Sequence, residues 1–287
     1  QPLPTIGACG RRFAAAFDRL GWHWWPSDSY INSVPYRGRG ACNNCGPNGL
    51  GCTQRAKAST DITYWPAAIA NGVELRTGAR VYEIATGADG RATGAHYFDA
   101  DGTKQFQPAR LVILAANGIG TARLMLLSRS QRHPTGLANS SGLVGRNLMF
   151  HPCAMISGFF DDGLAPTWQG ALANILLSQE FYETDPARDF VRGYTFQFSR
   201  GYGAIMEAIT STAAGRLPWG DDHHRVYRRL LNHRIGLSAI CEDLPEPHNR
   251  VTLDPVQKDG NGIPAPRIDY TISENSRKMM THAIANA

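Results

Sequence analysis

The chain has 287 residues, 43% of them hydrophobic and 18% charged, which suits two ordinary domains and excludes a disordered polypeptide. Lys and Arg number 29 against 24 Asp and Glu; this mild excess is spread along the sequence, densest at Arg225, Arg228, Arg229 and Arg234, and does not suit a dedicated nucleic-acid binder. No apolar run approaches the ~20 residues of a membrane span, and six cysteines are too sparse for a disulfide scaffold.

The sequence does not open on Met or on a signal peptide, and it stops inside a helix-like run, Ser273–Ala287. It reads as an internal piece of something longer. Phe13, Phe17 and Leu20 fall at i, i+4 and i+7 and predict a helix over Arg11–Leu20, ended by Gly21. Residues 26–56 are rich in Pro, Gly, Asn and Ser without a period, a long irregular loop of the kind kept for function. Thr60–Asp61 offers a helix N-cap, with the main helix starting at Pro66 and Asn71–Gly72 stopping it. Val73–Arg76 and Arg80–Ala85 read as strands, and Asp-Gly turns lead on to Ala92–Phe98 and Thr103–Gln107, a β-meander.

Arg110–Ala116 is a continuous apolar run suited to a strand buried on both faces of a parallel sheet. Asn117-Gly118-Ile119-Gly120 follows, and then the helix-forming run Thr121–Ser128. Beyond about residue 145 period-2 alternation recurs at 154–160, 194–198, 235–241, 251–253 and 268–270. That predicts a half-covered antiparallel sheet, with helices near 224–232 and at the C-terminal end.

The strand–turn–helix at 110–128 is the sharpest chemical signal. A helix N-terminus presents unpaired N–H groups and a positive dipole end, and Gly118 and Gly120 permit close approach of a ligand. The spacing is Gly-x-Gly-x-x-Arg, ending at Arg123, so the third glycine of a dinucleotide fingerprint is missing; an ordinary βα turn would read the same way. Cys42, Cys45 and Cys52 crowd a Gly-rich loop. They are either ligands for a soft metal or an iron–sulfur cluster, or simply free thiols or a disulfide. His223-His224 reads as the solvated start of a loop, and Asn139-Ser-Ser141 as a chance glycosylation sequon. Trp168 and Trp219 are candidate walls for a substrate pocket. No His-Glu-x-x-His or Gly-x-Ser-x-Gly motif is present.

Four ordered blocks carry a resemblance: Asn71-Gly-Val-Glu-Leu-Arg-Thr-Gly-Ala-Arg-Val81, Leu111–Ser128, Gly142-Leu-Val-Gly-Arg-Asn-Leu-Met-Phe-His-Pro152, and Asn249-Arg-Val-Thr-Leu-Asp254 with Gly262-Ile-Pro-Ala-Pro-Arg-Ile-Asp-Tyr270. Together, from about Arg37 onward, the sequence resembles the glucose–methanol–choline (GMC) oxidoreductases, in particular the flavoprotein subunits of bacterial gluconate- and sugar-type dehydrogenases. The resemblance implies FAD, touched by the main chain of Val81 and by the turn Ala115, Ala116, Asn117 and Gly118. Asn117 stands where the family often has Gly, and Asn tolerates unusual φ.

The implied fold is α/β (α+β): a partial, Rossmann-like FAD-binding domain with a β-meander over 1–144, including the cysteine loop 37–56, and an antiparallel-sheet substrate domain with helices on one face over 145–287. The family's main glycine fingerprint and its catalytic histidine have no counterpart here, so no catalytic residue is expected in this stretch, and His151 matches a structural position. The implied reaction is FAD-dependent oxidation of a CH–OH group of an alcohol, aldose, polyol or sugar acid. The implied acceptor is a quinone or cytochrome; a small subunit and a cytochrome are expected partners, and nucleic acid is not. Some relatives carry an iron–sulfur cluster near a loop like 42–52. The implied compartment is the bacterial cytoplasm or the periplasmic face of the inner membrane. Two rival readings stand beside it: another two-domain flavoprotein of amine-oxidase or hydroxylase type, and a non-enzymatic cysteine-loop metal module.

Overall fold

A computed structural model describes residues 6–27, 30–46, 51–163, 174–199, 201 and 203–287. Among them are six helices and three sheets, and every strand pair is antiparallel. Two compact units divide the chain. The first comprises Gln1–Val73, His151–Glu242 and Glu274–Ala287; the second comprises Glu74–Phe150 and Asp243–Ser273. The expected sequential split at 144/145 is not the division by compactness, in which each unit is assembled from segments separated in the chain.

In the first unit, α1 (Gly7–Leu20) carries the predicted amphipathic stripe and ends at Gly21. β1 (Trp25–Pro26) follows, and then α2 (Thr60–Ala70), capped by Ser59. Pro66 lies inside α2 instead of opening it, so Ile62 loses an intrahelical donor there. The period-2 runs form β5 (Cys153–Phe159), β7 (Tyr194–Ser199) and β8 (Arg234–Cys241), joined by β6 (Asn174–Ser178). The sheet order is β1-β6-β7-β8-β5. Register puts Leu176, Phe198, Leu237 and Ile156 in one row across the sheet and Ser178, Phe196, Ala239 and Ala154 in the next row on the same face. Helix α1, through Ala14 and Phe17, and helix α6 (Glu274–Asn286), through Met279 and Ala283, seal that face into the main core. Phe13 stacks on Phe198 at 4.0 Å and Trp22 on Phe196 at 5.7 Å. Burying one such ring contributes about 1.5–3 kcal/mol.

Helix α4 (Ala204–Ala213) has no counterpart among the sequence expectations. A buried polar contact fixes it: Ser211 donates to Glu207 Oε1 at 2.6 Å, and Arg234 of β8 lies 3.6 Å from the same oxygen. Helix α5 (His223–Leu230) takes His223 and His224 into its first turn, so they are helical, not loop.

In the second unit, β2 (Arg80–Thr86), β3 (Ala92–Phe98) and β4 (Lys104–Pro108) form the expected meander in the order β2-β3-β4. Asp89 and Asp99 close its turns by accepting main-chain N–H bonds from Arg91, and from Asp101 and Thr103. Helix α3 (Asn117–Leu127) packs on β2 and on β9 (Arg250–Lys258), which pairs with β10 (Pro264–Asp269). These last two strands make a hairpin of their own; the expectation that 251–253 and 268–270 extend the larger sheet is corrected. Gly145 explains part of the 142–152 block. Its φ is +83°, Val251 N–H donates to its carbonyl at 2.7 Å, and any Cβ would strike the Val251 carbonyl. Fully buried Asn249 locks the next segment, accepting from Thr271 N–H at 2.8 Å and donating to Thr271 O at 3.1 Å.

The parallel strand expected at 110–116 is absent, as is a strand at 73–76. Among the described residues no strand hydrogen-bonds to either stretch, and an extended segment without a partner strand is not a sheet. Leu111 and Ile113 are 77% and 81% exposed.

Candidate functional site

The turn 115–118 in the second unit opens α3. Asn117 adopts φ +58°, the left-handed conformation that Gly or Asn accepts most readily. Its side chain also closes the turn, Oδ1 accepting from Gly120 N–H at 2.9 Å, while Thr121 Oγ1 accepts from Ala116 N–H at 3.2 Å. Asn in place of Gly therefore keeps the backbone shape and adds a bond. Ala115, Ala116, Asn117 and Gly118 are all exposed. A Cβ at Gly118 would meet nothing within 4 Å. Among the described residues no side chain fills this niche, so the N-terminus of an eleven-residue helix stands open to an anionic or dinucleotide ligand.

Arg123, where a fingerprint's third glycine would stand, has a different duty. Its guanidinium donates to Pro264 O at 2.8 Å and to Asp259 Oδ2 at 2.8 Å, tying α3 to the β9–β10 hairpin. Burial alone would raise the Asp259 carboxyl. Arg123 and the N–H groups of Asn261 and Ile263 outweigh it and hold that carboxyl below its usual range. Arg80, beside Val81 on β2, adds a further contact to Asp259 at 3.2 Å. Val81 pairs with Tyr97 at a register irregularity of the meander and is partly exposed.

In the first unit, the sheet face away from α1 and α6 carries a different chemistry. One row runs Met155, Ser238, Gln197, Leu177 and Trp25; another runs Cys153, Ile240 and Thr195. Met155, Cys153 and Ser157 are exposed, and Ser238 Oγ donates to the Met155 thioether at 3.0 Å. Hydroxyl and amide groups thus alternate with apolar ones on this face, the composition of a small-molecule surface.

The cysteine loop does not assemble a ligand set. Cys42 and Cys52 pack against the small cluster of Ile31 and Ala56, Cys45 is exposed, and all three thiols are free. Among the described residues no three His, Cys, Asp or Glu side chains are grouped to hold a metal ion. Of the two readings of this loop, the geometry of the described residues gives no support to metal or iron–sulfur ligation; Cys42 and Cys52 serve as small packing groups. The N–H of Lys57, joined by those of Ala56, Gln54 and Arg55, holds the Cys52 thiol below its usual range against the effect of burial.

His151 Nδ1 lies 3.2 Å from Cys241 O, a main-chain tie at the start of β5. Trp219 is 86% exposed, and Trp168 lies outside the described residues. Sequence reasoning missed Arg123 as a tether, because its partner Asp259 is remote in the chain and paired only by the fold.

A family model described as GMC oxidoreductase matches residues 13–153. A 2-methyl-1,2-propanediol dehydrogenase of Mycolicibacterium austroafricanum is 40% identical over 285 residues, 99% of this chain and 51% of that protein. The chain belongs to the GMC oxidoreductase family. A fructose dehydrogenase large subunit of Gluconobacter japonicus is 32% identical over 93% of this chain and 48% of its own length. A gluconate 2-dehydrogenase flavoprotein of Pantoea cypripedii is 30% identical over 93% and 45%. The chain spans about half the length of these curated relatives. GMC oxidoreductases bind FAD, and the open turn at 115–118 fits a dinucleotide. Membership in the family displaces both the amine-oxidase or hydroxylase reading and the metal-module reading.

Proposed function

We propose that the protein containing this chain is an FAD-dependent dehydrogenase that oxidises a CH–OH group of a small alcohol, polyol, aldose or sugar acid. The observation that carries this reading is the open turn 115–118 at the head of α3, in a chain 40% identical to a diol dehydrogenase. The Val81 main chain and the 115–118 turn would hold the dinucleotide, the positive end of α3 favouring its negative charge. When bound, the flavin supplies the hydride acceptor.

The uncovered sheet face contributes substrate positioning. Half-buried Gln197 and Thr195 supply amide and hydroxyl groups for substrate hydroxyls, and Met155 and Ile240 supply apolar contact with its carbons, while buried Ser238 holds the Met155 thioether in place. His151 is committed to Cys241 O and is assigned no proton transfer. The functional division runs between an FAD-binding part over 1–144 and a substrate part over 145–287. Partner subunits are supported by the fructose dehydrogenase relative, itself named as a large subunit; a cytochrome or quinone acceptor and a bacterial cytoplasmic or periplasmic-face location belong to the same reading. The cysteine loop is assigned no cluster.

The test is anaerobic titration of the full-length protein with vicinal diols, polyols, aldoses and sugar acids, following flavin absorbance. Bleaching by one of these classes, with slow reoxidation by oxygen and fast reoxidation by a quinone, is the expected result. A colourless purified protein, or a flavin that none of them bleaches, overturns the reading.

A further inference from the structure

Three arginines line one cavity of about 320 Å³ in the second unit: Arg129 just beyond α3, Arg146 in the 142–152 block and Arg250 at the start of β9. No acidic residue lines it. Arg129 Nε donates to Leu126 O at 3.2 Å and Arg146 Nε to Gly142 O at 3.0 Å. Each guanidinium is thus anchored by one edge, and among the described residues neither has an acidic partner. Arg250 shares the Asp269 carboxylate, at 3.6 Å, with Arg267, which is closer at 3.2 Å. Three like charges around one hollow repel one another, and one shared carboxylate does not neutralise them. A planar guanidinium is the fork that matches phosphate oxygens. Leu126, Val144 and Leu253 give the cavity an apolar side, and Thr252 also lines it.

We infer that this cavity binds a small phosphate monoester, its dianion held by Arg129, Arg146 and Arg250 and its carbon portion against the apolar wall. The site is separate from the flavin turn. That turn opens α3 and the arginine cavity lies at its other end; eleven residues at ~1.5 Å each put them roughly 16 Å apart. The cavity size lies at the lower end of small-ligand sites.

The experiment is calorimetric titration of the full-length flavoprotein with inorganic phosphate, and then glycerol phosphate, at low ionic strength, with chloride at matched ionic strength as blank. Saturable phosphate binding is expected, tighter for glycerol phosphate, weakened at least tenfold in R129Q/R146Q and by less in R129K/R146K, which keeps the charge but not the fork. Flavin absorbance stays constant throughout and, with circular dichroism, reports that each variant is folded. If R129Q/R146Q does not fold, R250Q carries the comparison, with the same direction expected. Heats equal to the chloride blank, unchanged affinity in the folded glutamine variants, or release of flavin by phosphate each overturn the inference; glycerol phosphate no tighter than phosphate overturns the monoester assignment.

Discussion

Removing the carboxylate of Glu207 strands a charge. The Glu207 side chain is 2% exposed and that of Arg234 is 9% exposed, with 3.6 Å between the charged atoms. At an effective dielectric constant near 20, unit charges at that separation attract by about 4–5 kcal/mol. Desolvation offsets much of this, so the pair's net contribution is small, whereas loss of one partner leaves the other buried without its counter-charge, which costs about 3–5 kcal/mol. Glu207→Ala also removes the Ser211 acceptor. Glu207→Ala and Glu207→Gln are therefore expected to lower unfolding free energy by at least ~3 kcal/mol, while the double variant Glu207→Leu/Arg234→Met recovers most of the loss. Urea unfolding of the full-length protein, followed by tryptophan fluorescence, measures all four corners of the cycle: wild type, Glu207→Leu, Arg234→Met and the double variant. Single variants within about 1 kcal/mol of wild type, or a double variant worse than either single, would refute the reasoning.

Asn117→Gly is expected to keep flavin content, while Asn117→Val, forced to φ +58°, loses roughly 1–2 kcal/mol and lowers bound flavin per protein, read from absorbance. Asn249→Ala leaves the buried Thr271 N–H and carbonyl without their partner, and a drop of about 2–3 kcal/mol in unfolding free energy is expected. Burial, and next the charge of Arg188, depress the His282 imidazole below its usual value, beside the Tyr194 hydroxyl at 3.0 Å. The unfolded chain then binds the proton more readily, so stability contributed by neutral His282 is present above the unfolded value near ~6.5 and is lost as pH falls through the lower folded value. Urea midpoints compared at mildly acidic and neutral pH should show a steeper acid loss in wild type than in His282→Phe. Iodoacetamide should modify Cys52, whose thiol is held low by main-chain N–H groups, faster than Cys153, whose thiol burial pushes up; peptide mapping at neutral pH checks the order.

What the sequence disclosed was what local periodicity controls. The meander strands announce themselves through alternation and Asp-Gly turns, and the stripe of Phe13 and Phe17 identifies α1. The left-handed turn that opens α3 was readable because its requirement, an unusual φ, is met by residue type at Asn117. Long-range pairing was not readable. The same alternation in 251–253 and 235–241 serves two different sheets, because period-2 spacing names a face and not a neighbour. The apolar run at 110–116 predicts burial on both sides, yet such burial requires flanking strands, and none pairs with it among the described residues. Helix α4 escaped notice because its decisive buried residue is Glu207, a type that sequence reading assigns to solvent. The three cysteines looked alike in spacing, and only coordinates separate packing thiols from an exposed one.

The interleaving of the two units bears on how the polypeptide reaches its native state. Met279 and Ala283 of α6 finish a core that Ala14 and Phe17 begin, so segments more than 250 residues apart in the chain must meet before that core is closed. Closing so wide a loop is slow and leaves sticky intermediates exposed. A single cut near the middle of this stretch would therefore leave two pieces that each lack part of both units.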